Sequence, residues 1–236
     1  NIMKLLNEKY GIVEDDFMSA EIEAVPAFKA RDIGFDRSMI GSYGHDDRVC
    51  AYPSMMACMD TTSPNKTSVV ILTDKEETGS DGNTGLCSSY LKYFIHDLAE
   101  CFGVNGRTVL SNSECLSADV NAGFDPTYPE VADKNNFAFL NYGVVVTKFT
   151  GSRGKSGTSD ASAEFVGKVH NLLRDNGIIF QTGELGKVDA GGGGTVAMYI
   201  ANLDVNTIDV GVPVLCMHAP FEVVAKTDVY MAYKSF

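Results

Sequence analysis

The chain has 236 residues, with 31 acidic and 19 basic side chains and a formal net charge of −12 at pH 7. This excess of negative charge argues against nucleic acids and anionic membranes as partners. The hydrophobic share of 44% and the 23 glycines are typical of a globular protein and exclude disordered and fibrous classes. No apolar run approaches the roughly 18 to 20 residues that a membrane span needs, and the first residues lack a signal-peptide pattern.

The six cysteines are scattered and form no Cys-x-x-Cys pair. Such usage is typical of reduced thiols, and we therefore expect a cytoplasmic protein. An excess of carboxylates also leaves metal binding open, because carboxylates are common metal ligands.

Apolar periodicity and short apolar runs predict helices alternating with strands. Helices are predicted over 1–8, 13–22, 47–59, 84–101, 159–173 and 194–201. Strands are predicted over 68–73, 107–111, 137–149 with a break near Gly143, 178–181, 207–210 and 213–217. This alternation favours an α/β sheet covered by helices on both faces, with functional loops at the carboxyl ends of strands.

Acidic residues and one histidine stand out beside these elements. Glu76 and Glu77 follow the predicted strand 68–73, and in an extended stretch their side chains would point in opposite directions. The alternative is a solvated acidic turn. Asp46, Asp47 and Arg48 precede a helix, where an N-terminal cap with favourable dipole charge is the favoured explanation. The alternative is that Asp46 bridges two metal ions while Asp47 and Arg48 orient it. Asp119 follows the predicted strand 107–111, and His218 follows 213–217; a histidine in that position is more often structural than a ligand.

Two further segments are basic or rich in glycine. The segment 150–157 resembles a phosphate-binding loop, but Phe149 stands where the first glycine of that motif belongs, so the motif fails. A substrate-contacting loop and a plain turn both remain open. Glycines 191–194 open a predicted helix and would let backbone N–H groups approach an anion, or would simply permit close packing.

The order of these motifs is more specific than any one of them. Asp-Asp-Arg, Glu-Glu-x-Gly-Ser, Ser-Ala-Asp, a lysine-containing loop, a glycine run and Val-Pro-Val-Leu-x-Met-His-Ala-Pro follow one another between about residues 40 and 224. This series resembles the aspartyl aminopeptidase / vacuolar aminopeptidase I family of dinuclear zinc exopeptidases. Residues 46–50 and 150–163 look closer to the aminopeptidase I branch.

The resemblance implies a role for each matching residue. Asp46 would bridge two metal ions, Asp119 would bind one of them, and Glu77 and His218 would bind the other. Glu76 would be the general base for a hydroxide that bridges two zinc ions and attacks the peptide carbonyl; cobalt or manganese are possible substitutes. Asp47 and Arg48 would support the ligands, and the substrate cleft would be lined by Lys148, Arg153, Lys155, Gly192 and Gly193.

The resemblance also implies a three-layer αβα sandwich around a mixed, largely parallel sheet. Family members carry an early strand ending in His-x-Asp and an inserted β-domain, and neither is found in this sequence. We therefore expect residues 1–236 to be the C-terminal part of a catalytic domain, with exposed sheet edge or apolar surface. The metal site formed by Glu77, His218 and Asp46 is then expected to bind more tightly than the other.

Three functions remain in competition. The first is a metallo-aminopeptidase acting on peptides, with homo-oligomers expected for the full-length protein and the choice between acidic and neutral N-terminal residues left open. The second is an inactive fragment or non-catalytic family member that acts in binding or assembly. The third is a module that binds phosphate-bearing ligands through the Lys155 loop, which the net charge and Phe149 weaken.

Overall fold

The computed structural model describes residues 1–153, 156–187 and 189–236. Its strands are β1 (Arg31–Ile33), β2 (Met39–Ser42), β3 (Glu114–Ser117), β4 (Asn121–Ala122), β5 (Val144–Thr147), β6 (Phe149–Ser152), β7 (Ser156–Asp160), β8 (Phe180–Thr182), β9 (Asn206–Gly211), β10 (Pro213–Leu215) and β11 (Glu222–Ala225). Its helices are α1 (Ile2–Tyr10), α2 (Glu14–Met18), α3 (His45–Asp60), α4 (Tyr90–Cys101), α5 (Gly106–Ser111), α6 (Ala163–Asp175), α7 (Ala197–Ala201) and α8 (Lys226–Ser235).

The strands form mixed sheets, which confirms the mixed α/β class. A five-stranded sheet has the order β1-β2-β11-β10-β4, a four-stranded sheet has the order β3-β9-β5-β8, and β6 pairs with β7. Two of the three pairings in the four-stranded sheet are parallel, and in the five-stranded sheet only β10 and β4 are parallel. The chain passes from β9 to β10 through Val212, whose carbonyl accepts a hydrogen bond from the backbone N–H of Asn121 at 2.9 Å.

The main core lies between the strands and the helices α3, α6 and α8. β5 is fully buried, and in β9 every residue after Asn206 is buried, as expected for strands covered by helices. α6 presents Phe165, Val169 and Leu173 at helical spacing to this core, and Ser162 caps its first turn by accepting a hydrogen bond from the backbone N–H of Phe165.

Strand β11 lies between β2 and β10 and is antiparallel to both. Glu222, its first residue, pairs with Ser42, the last residue of β2, and Val223 pairs with Leu215, the last residue of β10. The loops that follow β2 and β10 therefore begin at the same end of these strands, next to Glu222. These loops carry Asp46 and His218.

Three of the predicted strands are wrong. The part of 137–149 before Gly143 is loop and turn with a single bridge at Ala138, and regular strand begins only at Val144. Residues 107–111 belong to helix α5, because the Asn105 side chain accepts a hydrogen bond from the backbone N–H of Arg107 and starts a helical turn. Residues 68–73 have no regular structure, because among the described residues no strand pairs with them, and an isolated strand is not stable. The apolar side chains of residues 69–72 are exposed. No helix in the described part of the chain is long and apolar enough to cross a membrane.

Candidate metal centre

Asp46 occupies the turn between β2 and the regular part of α3. Gly44 precedes it in a left-handed conformation (φ 73°), and a Cβ on Gly44 would lie 2.2 Å from the guanidinium of Arg48. Asp46 and Asp47 have non-helical backbone angles, so the regular helix begins only after them. The structure thus places Arg48 against its own turn, and Asp46 and Asp47 lie before the first regular turn of the helix.

The first cluster joins three residues from separate parts of the chain. The Nε2 atom of His218 lies 2.9 Å from an oxygen of Asp46 and 3.1 Å from an oxygen of Glu77. The Asp46 side chain is only 10% exposed, while those of His218 and Glu77 are 61% and 58% exposed. The cluster is therefore open to solvent on the side of Glu77 and His218.

The second cluster contains three aspartates. One oxygen each from Asp46, Asp47 and Asp119 lie within 4.8 Å of one another, as do the ligand atoms of the first cluster. Asp46 belongs to both clusters, so a single carboxylate connects them. One oxygen of Asp47 is buried without a hydrogen-bond partner, which makes Asp47 a possible ligand as well as the predicted support.

The negative charges in this region are poorly compensated. Burial and the neighbouring charge of Glu77 raise the pKa of Asp46 to about 7, and burial raises the pKa of Asp47 to about 8. Burial, together with the charges of Asp47 and Glu76, raises the pKa of Asp119 well above its usual range. A divalent cation would remove this repulsion by favouring the charged form of each carboxylate.

Glu76 and Glu77 lie on a single turn of 3-10 helix over Glu76–Thr78, so the expectation of an extended stretch is wrong. The turn begins after Lys75 (φ 67°) and ends at Gly79 (φ 101°), and both left-handed residues reverse the chain within a few positions. Glu76 is half-buried, and burial followed by the charge of Glu77 raises its pKa.

Two residues that support the site are absent from the sequence-based assignment. Glu222 is 2% exposed and accepts hydrogen bonds from the backbone N–H groups of Asp46 (3.1 Å) and His218 (2.8 Å). Tyr199 donates a hydrogen bond to the carbonyl of Gly79 at 3.2 Å and so anchors the turn that carries Glu76. An acidic residue at the head of the apolar strand β11 was the available signal for Glu222.

The residues predicted to line a substrate cleft form a separate group. Lys148 pairs with Asp160, the backbone N–H of Arg153 donates to the carbonyl of Gly191 at 3.1 Å, and that of Gly151 donates to Gly193 at 2.9 Å. A cavity of about 110 Å³ lies beside these backbone hydrogen bonds and is lined in part by Gly192. Lys155 lies outside the described residues. Within the described ranges, no hydrogen bond or ion pair joins this group to the metal-centre side chains.

The glycine run is required by close packing of the backbone. A Cβ on Gly192, whose φ is 91°, would lie 2.4 Å from the carbonyl oxygen of Gly151, and a Cβ on Gly193 would lie 2.8 Å from the Leu185 side chain. The tight-packing interpretation of these glycines is therefore supported. Contact with a substrate remains a prediction.

Metal affinity should fall as the pH is lowered from 8 to 6. A metal must displace the protons that the raised pKa values of Asp46 and Asp47 retain, and protonation of Asp46 alone would weaken binding about tenfold over that range. Glu77, His218 and Glu222 surround Asp46 and contribute to the field it experiences. Calorimetry in buffers of different ionisation enthalpy would count the protons released on zinc binding at pH 7.

The control for this prediction is Asp47→Asn, which removes the carboxyl whose pKa lies near 8. It should release about one proton fewer than the parent at pH 7, because that carboxyl is mostly protonated before the metal binds. Equal proton release by the two proteins, or zinc affinity that is constant between pH 6 and 8, would contradict the prediction.

Gly211 at the end of β9 should not tolerate a side chain. An added Cβ would lie 1.5 Å from the carbonyl oxygen of Asp119, so Gly211→Ala must displace the backbone that carries this candidate ligand. We expect a loss of about 3 kcal/mol or more in the free energy of unfolding. Gly167→Ala, where a Cβ in α6 meets nothing within 4 Å, should instead stabilise by about 0.5 to 1 kcal/mol. Denaturant unfolding of both variants tests the contrast.

The whole chain matches one protein family. A profile of the family described as aminopeptidase I zinc metalloprotease (M18) covers residues 1–236. A probable M18 family aminopeptidase 1 from Clostridium acetobutylicum is 51% identical over 98% of this chain and 50% of its own length. The corresponding protein from Thermotoga maritima is 46% identical over 100% of this chain and 54% of its own length. The chain thus spans about half the length of these relatives.

Solved structures agree in fold. The crystal structure of the Clostridium acetobutylicum aminopeptidase I superposes with a TM-score of 0.92 at 51% identity, covering 100% of this chain and 51% of the other. A yeast structure described as a dodecamer superposes with a TM-score of 0.76 at 25% identity, over 99% of this chain and 53% of the other. These superpositions confirm the α/β fold expected from the sequence.

Proposed function

This chain belongs to the M18 family of aminopeptidase I zinc metalloproteases, and we propose that it carries most of the catalytic centre of a metal-dependent aminopeptidase. The observation that supports this most directly is the shared position of Asp46, whose carboxylate belongs to two clusters of candidate ligands. A bridging carboxylate is what a two-metal site requires. The substrates would be peptides with a free N-terminus.

The donor set suits zinc. The first cluster offers an imidazole and two carboxylates from His218, Glu77 and Asp46, and the second offers Asp46 and Asp119 with Asp47 beside them. Nitrogen and carboxylate oxygen are ordinary zinc ligands, and cobalt or manganese would also be accepted. The raised pKa values of Asp46 and Asp47 and the unpartnered oxygen of Asp47 are consistent with a site built for a cation.

Bound zinc ions would polarise the scissile carbonyl and acidify a water molecule. Glu76 is the residue proposed to take the proton from that water and to return it to the departing amine. Its half-buried position and raised pKa suit a group that must hold a proton for part of the reaction. The charge of Glu76 also contributes to the raised pKa values of Asp47 and Asp119, which supports its assignment beside the second cluster.

The proposal has a direct test in zinc binding. Equilibrium dialysis of the parent chain, His218→Ala and His170→Ala against zinc should give tight binding for the first and third and at least tenfold weaker binding for His218→Ala. His170 lies on α6, where its ring stacks against Phe180, so His170→Ala controls for the loss of a histidine. Equal zinc content in all three proteins would exclude His218 as a ligand.

The side chain preferred at the substrate N-terminus can be measured in parallel. Leucyl and aspartyl substrates should be compared with the parent and with Arg153→Ala, because Arg153 is a basic residue whose backbone N–H donates to the carbonyl of Gly191 in the glycine run. We propose that Lys148, Arg153 and Lys155 contact the substrate. A selective loss of the aspartyl activity in Arg153→Ala would assign acidic recognition to this loop.

The competing function is a non-catalytic binding or assembly role. The yeast relative described as a dodecamer suggests that the full-length protein forms homo-oligomers, and we propose the same, together with a cytoplasmic location. Tight zinc binding without any peptide hydrolysis by the full-length protein would favour the non-catalytic role.

A further inference from the structure

Glu222 is the one buried carboxylate of the described chain that contacts both loops of the first metal cluster. One of its oxygens accepts the backbone N–H of His218 at 2.8 Å, and the other accepts that of Asp46 at 3.1 Å. The two donors approach from loops that leave different strands. Glu222 is therefore placed to fix the distance between a bridging ligand and a terminal ligand.

The sheet topology explains how one side chain reaches both loops. β11 separates β2 from β10 and runs antiparallel to both, so its first residue lies where both neighbours end. The register pairs Glu222 with Ser42, four residues before Asp46, and His218 lies four residues before Glu222 in the chain. A single side chain at the head of β11 thus reaches both loops.

The His218 loop needs such a support. His218 has φ 65° and Cys216 has φ 58°, and both are left-handed conformations that side chains other than glycine rarely adopt. The His218 side chain is also largely exposed, so packing contributes little to the position of its ring. The hydrogen bond to Glu222 restrains the backbone from which that ring projects.

We propose that Glu222 is a positioning residue of the metal centre, which holds the Asp46 and His218 loops at ligand spacing through their backbone N–H groups. This proposal rests on the proposed metal-binding function. Glu222 belongs to neither cluster of candidate ligands, and both of its buried oxygens accept these backbone N–H groups. It acts by preorganising the ligands, as outer-sphere groups do in other metal sites.

The test uses Glu222→Gln, which keeps the size of the side chain and replaces one acceptor oxygen with an NH2 donor. We expect cobalt(II) affinity to fall about 10- to 100-fold and the visible absorption bands of bound cobalt, which report ligand geometry, to change. Amide hydrogen exchange of the metal-free parent protein gives a second readout. The backbone amides of Asp46 and His218 should exchange slowly, because both are hydrogen-bonded to Glu222.

A matched control exists at a second buried carboxylate. Asp228 on α8 is fully buried and accepts the backbone N–H groups of Asn141 (2.7 Å) and Gly143 (2.8 Å). Asp228→Asn therefore makes the same chemical change at another buried carboxylate that accepts two backbone N–H groups. It should lower stability in the same way while leaving cobalt affinity and spectrum unchanged.

The outcomes separate this proposal from the proposed function. Unchanged cobalt affinity and spectrum in Glu222→Gln, or equal losses in Glu222→Gln and Asp228→Asn, would overturn the positioning role. Rapid exchange of both amides in the parent would overturn it without any variant. Failure of the parent to bind cobalt would instead contradict the metal centre itself.

Discussion

Replacing Glu76 with glutamine should abolish peptide hydrolysis while leaving zinc bound. General acid-base catalysis contributes about 10² to 10⁴ in rate, and glutamine cannot take a proton from the attacking water. We therefore expect kcat to fall by about 10³ or more in the active protein with little change in metal content. Steady-state kinetics and elemental analysis on the same preparation provide both numbers.

The neighbouring glutamate supplies the control. Glu77→Gln changes the next residue of the same 3-10 turn in the same way, yet Glu77 lies 3.1 Å from the imidazole of His218. It should lose zinc from the first cluster as well as activity. If Glu76→Gln lost zinc and Glu77→Gln kept it, the two assignments would have to be exchanged.

Replacing Asp46 with asparagine should weaken both metal sites at once. Asp46 contributes an oxygen to each cluster, and changes to outer-sphere residues alone cost about 10- to 100-fold in affinity. We expect at least a 100-fold loss at the tighter site and no measurable binding at the weaker one. Zinc titration with a chromophoric competitor resolves the two sites.

The comparison is Asp119→Asn, which alters only the second cluster. It should remove the weaker site and leave binding at Asp46, Glu77 and His218 close to that of the parent. Identical titrations of Asp46→Asn and Asp119→Asn would mean that Asp46 does not bridge. An intact tight site in Asp46→Asn would contradict the assignment of Asp46 to the first cluster.

The order of acidic motifs selects side chains that the structure brings together, but it does not predict their geometry. Asp46, Glu77, Asp119 and His218 were selected from the sequence, and the structure brings them together from the loops after β2, β3 and β10 and from the turn before α4. The sequence analysis does not select Glu222, because its one signal is an acidic residue at the head of an apolar strand. A carboxylate that binds only backbone N–H groups forms no recognisable motif. Its role depends on strand order, which a single sequence does not provide.

The sequence predicts local structure well where the helix is long or the strand is strongly apolar. Helix α3 and strand β9 lie at the predicted positions. The short segment 107–111 was assigned wrongly because five residues carry too little periodicity to distinguish a buried helix from a strand, and the cap at Asn105 decided the outcome. Segment 68–73 has a strand-like composition, but composition cannot supply a pairing partner.

The large sequence separation between Glu222 and Asp46, which are joined by a hydrogen bond, has a consequence for folding kinetics. Asp46 and Glu222 are separated by 176 residues. Contacts between residues so far apart in sequence are expected to form late, because the chain must first close a very long loop. We therefore expect the ligands from β2 and β10 to reach their final spacing only after the rate-limiting step. Bound zinc should then slow unfolding and leave the refolding rate almost unchanged, so metal loading would govern the lifetime of the native protein more than the speed of its formation.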